Sequence, residues 1–365
     1  MDVAFVSEFT GGQRVFRFAE GEGRALGLEV DGSDPFEDTY CARVVGGHIP
    51  CLIPDAQKEP GVADMAVTRE LAIGGHVSVP IVFSDGRIYG TFCCFSQTPK
   101  SSLDQQHVAM IRVMAGLVTE ELERDELQAE TRRRNSERIR NVLTGDDLSM
   151  VFQPIVETTT SAILGMEALA RFDAEPRRTP DLWFEEAWTV GLGVDLELAA
   201  ARAAASKLQE LPKNQFLSLN ISPETAISPE LLVFLAETES ERIVLELTEH
   251  AQVAEYDPLR KALDRIRSFG TRIAIDDVGT GYAGLQQLLE LRPDILKLDL
   301  SITRGIDADP VRHSLAASVA AFATEMNLLL VAEGIETFAE AEALAGLGIK
   351  LGQGYYFGRP APLSA

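Results

Sequence analysis

Between Val151 and Phe357, eight short apolar segments carry acidic, amide or basic residues where core strands would carry none. Glu167, Asn220, Glu246, the pair Asp276-Asp277, and Glu333 occupy five of them, and Lys297 occupies a sixth. Charged side chains are almost never fully buried unless they are paired or bind a metal. One such residue on a core strand would be an accident. This many at the same end of successive strands make an active site.

The residue types say what the chemistry would be. Glu167, Glu246, Asp276, Asp277 and Glu333 offer carboxylates and Asn220 an amide oxygen, a donor set that suits Mg²⁺ or Mn²⁺ better than zinc. Carboxylates crowded together repel one another unless divalent cations neutralise them. Adjacent acids such as Asp276-Asp277 suit a two-metal site, in which ions roughly 3.5–4 Å apart activate a water and stabilise both oxygens of a phosphoryl displacement. Lys297, on the strand Ile295-Leu296-Lys297-Leu298-Asp299, needs anionic company, and beside an activated water it could orient that water or take its proton. Each residue also has a structural reading. Asn220 with Ser222-Pro223 could cap a helix, Asp277 could stabilise the turn Asp277-Val278-Gly279-Thr280-Gly281, and Lys297 could pair with Asp299 or Asp276. Singly these are as good as the functional reading; jointly they are not.

The elements that must position these residues follow a rhythm. Strand-like segments are Met150–Val156, Ile163–Arg171, Phe216–Ile221, Ile243–Thr248, Ile273–Asp277, Ile295–Asp299, Leu328–Glu333 and Gly354–Phe357. Helical stretches separate most of them: Leu196–Leu211, Pro229–Ala236, Asp257–Phe269, Ala283–Leu291, Pro310–Met326 and Phe338–Leu347. Eight strands so spaced predict an α/β, TIM-like barrel with its site at the carboxyl ends of the strands. The link of about Glu157–Ala162 is too short for a parallel crossover, so the first strand should run antiparallel to the second.

Upstream, Val15–Phe18, Val77–Phe83 and Tyr89–Phe95 read as strands, with Ser84-Asp85-Gly86-Arg87 as the turn between the last two, giving an antiparallel α+β domain. From Ser102 to Leu143 the pattern is helical. Val108, Ile111, Ala115, Val118 and Leu122 form a heptad seam, which then meets Asp125, Ala129, Arg132 and Ser136 before recovering at Ile139 and Leu143. Two readings stand: a domain-terminal helix running into a solvated linker, or a marginal parallel coiled coil in a homodimer. The expected division is residues 1–119 as a sensor, 120–143 as a helical linker and 144–365 as the barrel.

The formal charge of −23 argues against general nucleic-acid binding or an anionic membrane as partner. It leaves room for a small anion, since metal ions reverse the sign locally. Asp2 and Glu8 interrupt any signal-peptide pattern, and no apolar run approaches the roughly 20 residues of a membrane span. Cys41, Cys51, Cys93 and Cys94 contain no C-x-x-C spacing, so reduced thiols in a cytoplasmic protein are expected.

These motifs reach a family. Phe152-Gln153-Pro154-Ile155, Glu167-Ala168-Leu169-Ala170-Arg171, Asn220-Ile221-Ser222-Pro223, Glu246-Leu247-Thr248-Glu249 and Asp276-Asp277-Val278-Gly279-Thr280-Gly281-Tyr282 stand in the order of EAL-domain cyclic-di-GMP phosphodiesterases. Lys297-Leu298-Asp299, Glu333-Gly334-Ile335-Glu336 and Gly352-Gln353-Gly354-Tyr355 complete a resemblance over about residues 136–363. It implies hydrolysis of one phosphodiester of cyclic di-GMP to linear pGpG with two Mg²⁺ or Mn²⁺ ions. By that resemblance Glu167, Asn220, Glu246 and Asp276 would hold the metals, and Asp277 would complete the second site. Glu333 would bind or orient a metal and its water, and Lys297 would act on the nucleophile. Glu249 would fix the loop carrying Asp276–Tyr282. Gln153, Leu169 and Arg171 would contact substrate, Arg171 with a planar fork suited to phosphate. Gln353 would lie near the attacking water or the substrate. The main departure is Val278, where the family usually has phenylalanine; it removes no ligand.

The first domain resembles a GAF sensor domain through Tyr40-Cys41, Ile49–Ala56 and the closing Tyr89-Gly90-Thr91-Phe92 strand. Such domains bind small ligands or simply dimerise. Cys41, His48 and His76 could be read as cofactor ligands, although a lone His or Cys in such a domain is more often structural, and no Cys-His dipeptide is present for bilin attachment. The rival to an active, sensor-regulated enzyme is a silent cyclic-di-GMP receptor that signals to a protein partner. No Gly-Gly-Asp-Glu-Phe run precedes the barrel, which argues against dinucleotide synthesis.

Overall fold

Period-two alternation builds the first unit, Met1–Thr131. The structure is a computed structural model that describes residues 1–247, 256–278, 288 and 290–363, with the backbone alone for Arg24, Asp277 and Val278. Strands β1 (Val3–Thr10), β2 (Gln13–Gly21), β3 (Ser33–Pro35), β4 (Leu52–Ile53), β5 (Gly75–Val82) and β6 (Ile88–Ser96) form one sheet in the order β3-β2-β1-β6-β5-β4. Every pairing in it is antiparallel. The turn expected at Ser84–Arg87 is present, with Gly86 at φ +85 and Phe83 N–H donating to Arg87 O at 2.9 Å.

Because successive side chains alternate faces, neighbouring residues enter different cores. Phe5, Phe16, Cys93 and Phe95 pack with Tyr40, Cys41 and Val44 of the helix Tyr40–Val45. On the other face Val6, Val77, Val79, Ile81 and Cys94 pack against Val108, Ile111 and Ala115. Those last three open the heptad seam, and they lie on a helix running from Gln105 to Thr144. The start of the seam is therefore committed to the unit's own sheet rather than presented to a second helix. Met110, Val113, Met114 and Leu117 are the apolar residues that this stretch exposes.

The second unit, Arg132–Ala365, contains a closed barrel. Its strands are β7 (Leu148–Glu157), β8 (Ile163–Phe172), β9 (Phe216–Ile221), β10 (Ile243–Leu247), β11 (Arg272–Val278), β12 (Ile295–Leu298), β13 (Leu329–Ala332) and β14 (Leu351–Gly352). β7 pairs antiparallel with both β8 and β14, and the other described pairings are parallel. The short Glu157–Ala162 connection dictates this. The last strand differs from expectation: it is Leu351–Gly352, while Gly354–Phe357 forms a turn in which Phe357 and Gly358 N–H both bond Gly354 O at 3.1 Å. The helix Pro180–Thr189, with Pro at its first turn, was not expected from the pattern. The expected helix Ala283–Leu291 falls mostly outside the described residues.

Apolar residues between strands and helices form the main core, among them Leu217, Leu219, Leu245, Ile273, Leu296 and Ala332. A separate cluster of Ile155, Phe216, Val244, Ala274, Ile295, Val331 and Leu351 fills the barrel's floor. Ile139 and Val142, near the end of the long helix, pack beside Phe172, Trp183 and Leu196 within the same unit. Among the described residues, no helix is long and apolar enough to cross a membrane.

Candidate active site

The floor cluster places the site. Two residues along each parallel strand the same inward face recurs, so Phe216 leads to Ser218, Val244 to Glu246, Ala274 to Asp276 and Ile295 to Lys297. Val331 leads likewise to Glu333 and Leu351 to Gln353. On the antiparallel β7 the count runs backwards, from Ile155 to Gln153, which pairs with Glu167 on β8. Glu167 itself lies two residues past Gly165, where a side chain would strike the Phe216 ring at 2.6 Å. An apolar floor is thus followed by a polar layer, at the carboxyl ends of the parallel strands where the sequence put the site.

Lys297 is the centre of that layer. Its Nζ lies 2.5 Å from Glu333 Oε1, 2.7 Å from Glu246 Oε2, 3.3 Å from Asp276 Oδ1 and 3.8 Å from Glu167 Oε2. One ammonium therefore faces four carboxyl groups, more than it can neutralise were all of them ionised. Burial pushes the Glu246 carboxyl up to about 8, with Glu167 and Asp276 adding to the rise against the pull of Lys297. Burial also raises Glu333 to about 7, against Lys297 and with Asp276 and Glu167. Glu167 is equally buried, yet Lys297, Gln353 and Asn220 hold it below the ordinary carboxylate range. Burial alone would lower Lys297; its four acids keep it well above the usual value.

Hydrogen bonds aim these groups. Glu167 accepts from Asn220 Nδ2 at 3.0 Å and from Gln353 Nε2 at 2.6 Å, and Gln353 Nε2 also reaches Gln153 Oε1 at 3.0 Å. Among the described residues, Gln353 Oε1 is buried with no hydrogen-bond partner, an acceptor available to a ligand. Glu246 accepts from Ser218 Oγ at 2.5 Å. The Glu333 backbone is held by N–H donation to Leu298 O at 3.0 Å and by the Thr303 hydroxyl on its carbonyl. Gly334 then turns at φ +66, where a Cβ would meet Leu300 Cβ at 2.5 Å.

Of the structural alternatives, the Lys297–Asp276 pair is present at 3.3 Å as one arm of the carboxylate cluster, the turn after Asp277 lies outside the described residues, and the helix caps fall to other residues. Ser222, not Asn220, caps the following helix by accepting from Thr225 N–H, and Asp299 caps Leu300–Thr303 by accepting from Ser301 N–H at 2.9 Å. Arg171 lies off the carboxylate layer. With Leu169 and Asn220 it lines a cavity of about 160 Å³ that also includes Met150 and Phe184, and its Nη1 donates to Ala170 O. Leu169 is shared with a second cavity, of about 290 Å³, that holds Gln153, Glu167, Asp276, Lys297, Glu333 and Gln353. Glu249, the loop 279–282 and the side chains of Asp277 and Val278 lie outside the described residues.

Sequence reasoning missed three contributors. Ser218 was findable, since it lies two residues before Asn220 on the face that period two assigns inward. Glu197 is a buried carboxylate that accepts from Ser222 N–H at 2.9 Å, Ser222 Oγ at 3.0 Å and Trp188 Nε1 at 3.1 Å, and burial raises its pKa. It fixes the turn after Asn220, and nothing local in its helix announces that. Arg304, paired with Glu336, borders the larger cavity.

The oxygen-only donors, the acid-rich cluster that only one ammonium balances, and the Gln353 oxygen without a partner among the described residues fit a divalent cation. Among the described residues, no three His, Cys, Asp or Glu side chains already stand around a common empty point. The carboxylates face the Lys297 ammonium instead, so occupation would require it to give ground.

Residues 136–360 match the family model of the EAL domain. The chain belongs to the EAL-domain family. Residues 1–123 match the model of the GAF domain, so the EAL barrel follows a GAF domain. The chain is 30% identical over 237 residues to an uncharacterized protein of Mycobacterium tuberculosis, covering 61% of this chain and 38% of that protein. It is 31% identical over 237 residues to the probable cyclic di-GMP phosphodiesterase PdeB of Escherichia coli, covering 62% and 45%. The chain thus spans less than half the length of these relatives. In structure it is similar to Klebsiella pneumoniae BlrP1 in a manganese and cyclic di-GMP complex, with a TM-score of 0.54, 29% identity and coverage of 60% of this chain and 57% of that one.

Proposed function

We propose that this chain hydrolyses one phosphodiester of cyclic di-GMP to linear pGpG, using two Mg²⁺ or Mn²⁺ ions and under the control of its GAF domain. The observation that carries this reading is the convergence of Glu167, Glu246, Asp276 and Glu333 within 3.8 Å of the buried Lys297 ammonium. A relative named a probable cyclic di-GMP phosphodiesterase and a similar structure holding manganese with cyclic di-GMP support it.

Glu167, Asn220, Glu246 and Asp276 would hold the ions, with Asp277 completing the second position and Glu333 a ligand or an orienting group. When bound, the ions would supply charge neutralisation at the phosphodiester and activation of a water. Lys297, released from part of its carboxylate cage, would orient the attacking water or take up its proton. Ser218 keeps one oxygen of Glu246 occupied, so that the other faces the centre. Gln353 would present its free oxygen to water or substrate while its nitrogen fixes Glu167 and Gln153. Leu169, bordering both cavities, and Arg171 beyond it would seat the substrate outside the reacting phosphate, and Glu249 would steady the loop after Asp276.

The wider reading keeps residues 1–119 as the sensor, 120–143 as the linker and 144–365 as the barrel, in a cytoplasmic homodimer. Met110, Val113, Met114 and Leu117 recur at one helix face and are exposed in the single chain, which suits a second copy. The direct test is chromatography of cyclic di-GMP incubated with the purified chain and Mg²⁺ or Mn²⁺, with chelator as control. Metal-dependent pGpG supports the enzyme; tight binding without product overturns it in favour of a receptor.

A further inference from the structure

Away from the barrel, the GAF domain buries a pair of thiols. Cys41 begins the helix Tyr40–Val45, Cys93 lies on β6, and their sulfurs stand 3.4 Å apart with neither residue exposed. Arg14, itself 5% exposed, donates from Nη1 to Cys41 Sγ at 3.2 Å. Its Nε and Nη2 are held by Asp34, so the guanidinium is fixed where it is. Cys93 is hydrogen-bonded to Ser78 Oγ at 2.9 Å and to Thr91 Oγ1 at 3.1 Å. A structural cysteine is packed among apolar groups and inert; this pair has a cation and two hydroxyls at its sulfurs. A small cavity of about 20 Å³, lined by Arg14, Tyr40, His76, Phe5 and Phe95 but by neither cysteine, shares Arg14 with the pair. That is room for a molecule the size of water or little more. His76 Nδ1, buried and without a hydrogen-bond partner among the described residues, is a further polar atom on that cavity's wall.

We infer that Cys41 and Cys93 form a peroxide-reactive dithiol, with hydrogen peroxide as the oxidant, Cys41 the attacking sulfur and Cys93 the resolving one. The Cys41 thiolate attacks one peroxide oxygen; the S–O bond forms, the O–O bond breaks, and hydroxide leaves as water with the proton Cys41 has shed. Cys93 then attacks the sulfenic sulfur; the S–S bond forms, the S–O bond breaks, and a second water carries away the Cys93 proton. Two thiols lose two electrons in total and one peroxide gains them. The sulfurs must close from 3.4 Å to the roughly 2.05 Å of a disulfide. The roles follow from the environment. Burial opposes ionisation of Cys41, but Cys93 and Arg14 bring it down to about 6, whereas burial and the neighbouring Cys41 hold Cys93 well above its ordinary value.

The test is the reduced, full-length chain treated with graded hydrogen peroxide, quenched by alkylation and peptide-mapped by mass spectrometry. The expected result is a Cys41–Cys93 linked peptide, with two hydrogens lost, before any change at Cys51, which is the more accessible thiol. Cys93→Ser should stop at a sulfenic acid on Cys41 that a dimedone probe traps. Arg14→Lys should slow the first step roughly tenfold, and the bulkier tert-butyl hydroperoxide should reach these fully buried sulfurs far more slowly than hydrogen peroxide. Oxidation of Cys51 first, or no linkage at peroxide levels that oxidise methionines, would overturn the inference. Because the wild-type map needs no variant, failure of a substituted chain to fold leaves the result decisive.

Discussion

Lys297 donates to Glu246 at 2.7 Å from a side chain 3% exposed to one 1% exposed. A buried pair of this kind is weak evidence for stability, because desolvation offsets most of its attraction. Here the ammonium also faces Glu333, Asp276 and Glu167, so its presence is better understood as a stand-in for cationic charge that the carboxylates require.

Lys297→Met should therefore separate two roles. Without divalent ions the variant should lose roughly 3–5 kcal/mol of barrel stability, since buried carboxylates lose their counter-charge. Added Mn²⁺ should restore much of the melting temperature but not turnover, which should fall at least about a hundredfold. Thermal melts with and without chelator, beside product chromatography, check both parts.

Gln353→Leu removes the amide that ties Glu167 to Gln153 and the unpartnered oxygen beside them. Loss of such an outer support typically costs about 10–100-fold in metal affinity or activity. The expected outcome is a rise of that size in the Mn²⁺ concentration for half-maximal turnover, with an unchanged far-ultraviolet circular dichroism spectrum.

Glu197→Ala leaves Ser222 N–H and Trp188 Nε1 without their acceptor in a buried turn, while Ser222 Oγ keeps only Thr225 Oγ1 as acceptor at 3.2 Å. Stability should drop by about 1–3 kcal/mol, and Asn220, two residues before Ser222, should be less well placed. Denaturant midpoints measure the first, and a raised metal requirement in turnover assays measures the second.

His76 carries an acid-sensitivity prediction for the GAF domain. Burial, with the charge of Arg14, lowers its pKa from 6.5 to about 3. The folded state therefore binds fewer protons than the unfolded state between those values, so stability contributed above pH 6.5 is lost as pH falls towards 3, by roughly 4 kcal/mol in all. Hydrogen-exchange protection of GAF-domain peptides should decline over that window, and more shallowly in His76→Phe.

Most of the barrel was legible because one constraint repeats. An inward strand face must be apolar at the floor and polar one step later, so Glu167, Glu246, Asp276, Lys297 and Glu333 stand out against their neighbours, and the antiparallel β7 follows from a short connection. The same rule, applied backwards from Asn220, exposes Ser218. The misread last strand had a different cause. Gly354–Phe357 is apolar enough for a strand, but bonds from Phe357 and Gly358 to Gly354 O close it into a turn. Glu197 was illegible because its partners are more than twenty residues onward in Ser222 and nine residues back in Trp188, joined only by the fold. The heptad seam left two readings open, since a helix packed on its own sheet and one packed on a second helix share the same spacing, and Val108, Ile111 and Ala115 pack on the sheet.

The most direct test counts bound Mn²⁺ by electron paramagnetic resonance while cyclic di-GMP turnover is followed in the same sample of wild-type chain. Linear pGpG should accumulate in step with occupation of two ions, and Glu246→Gln should lose both together. Full occupation by two ions with cyclic di-GMP bound and no product formed would contradict this, and would make this barrel a receptor.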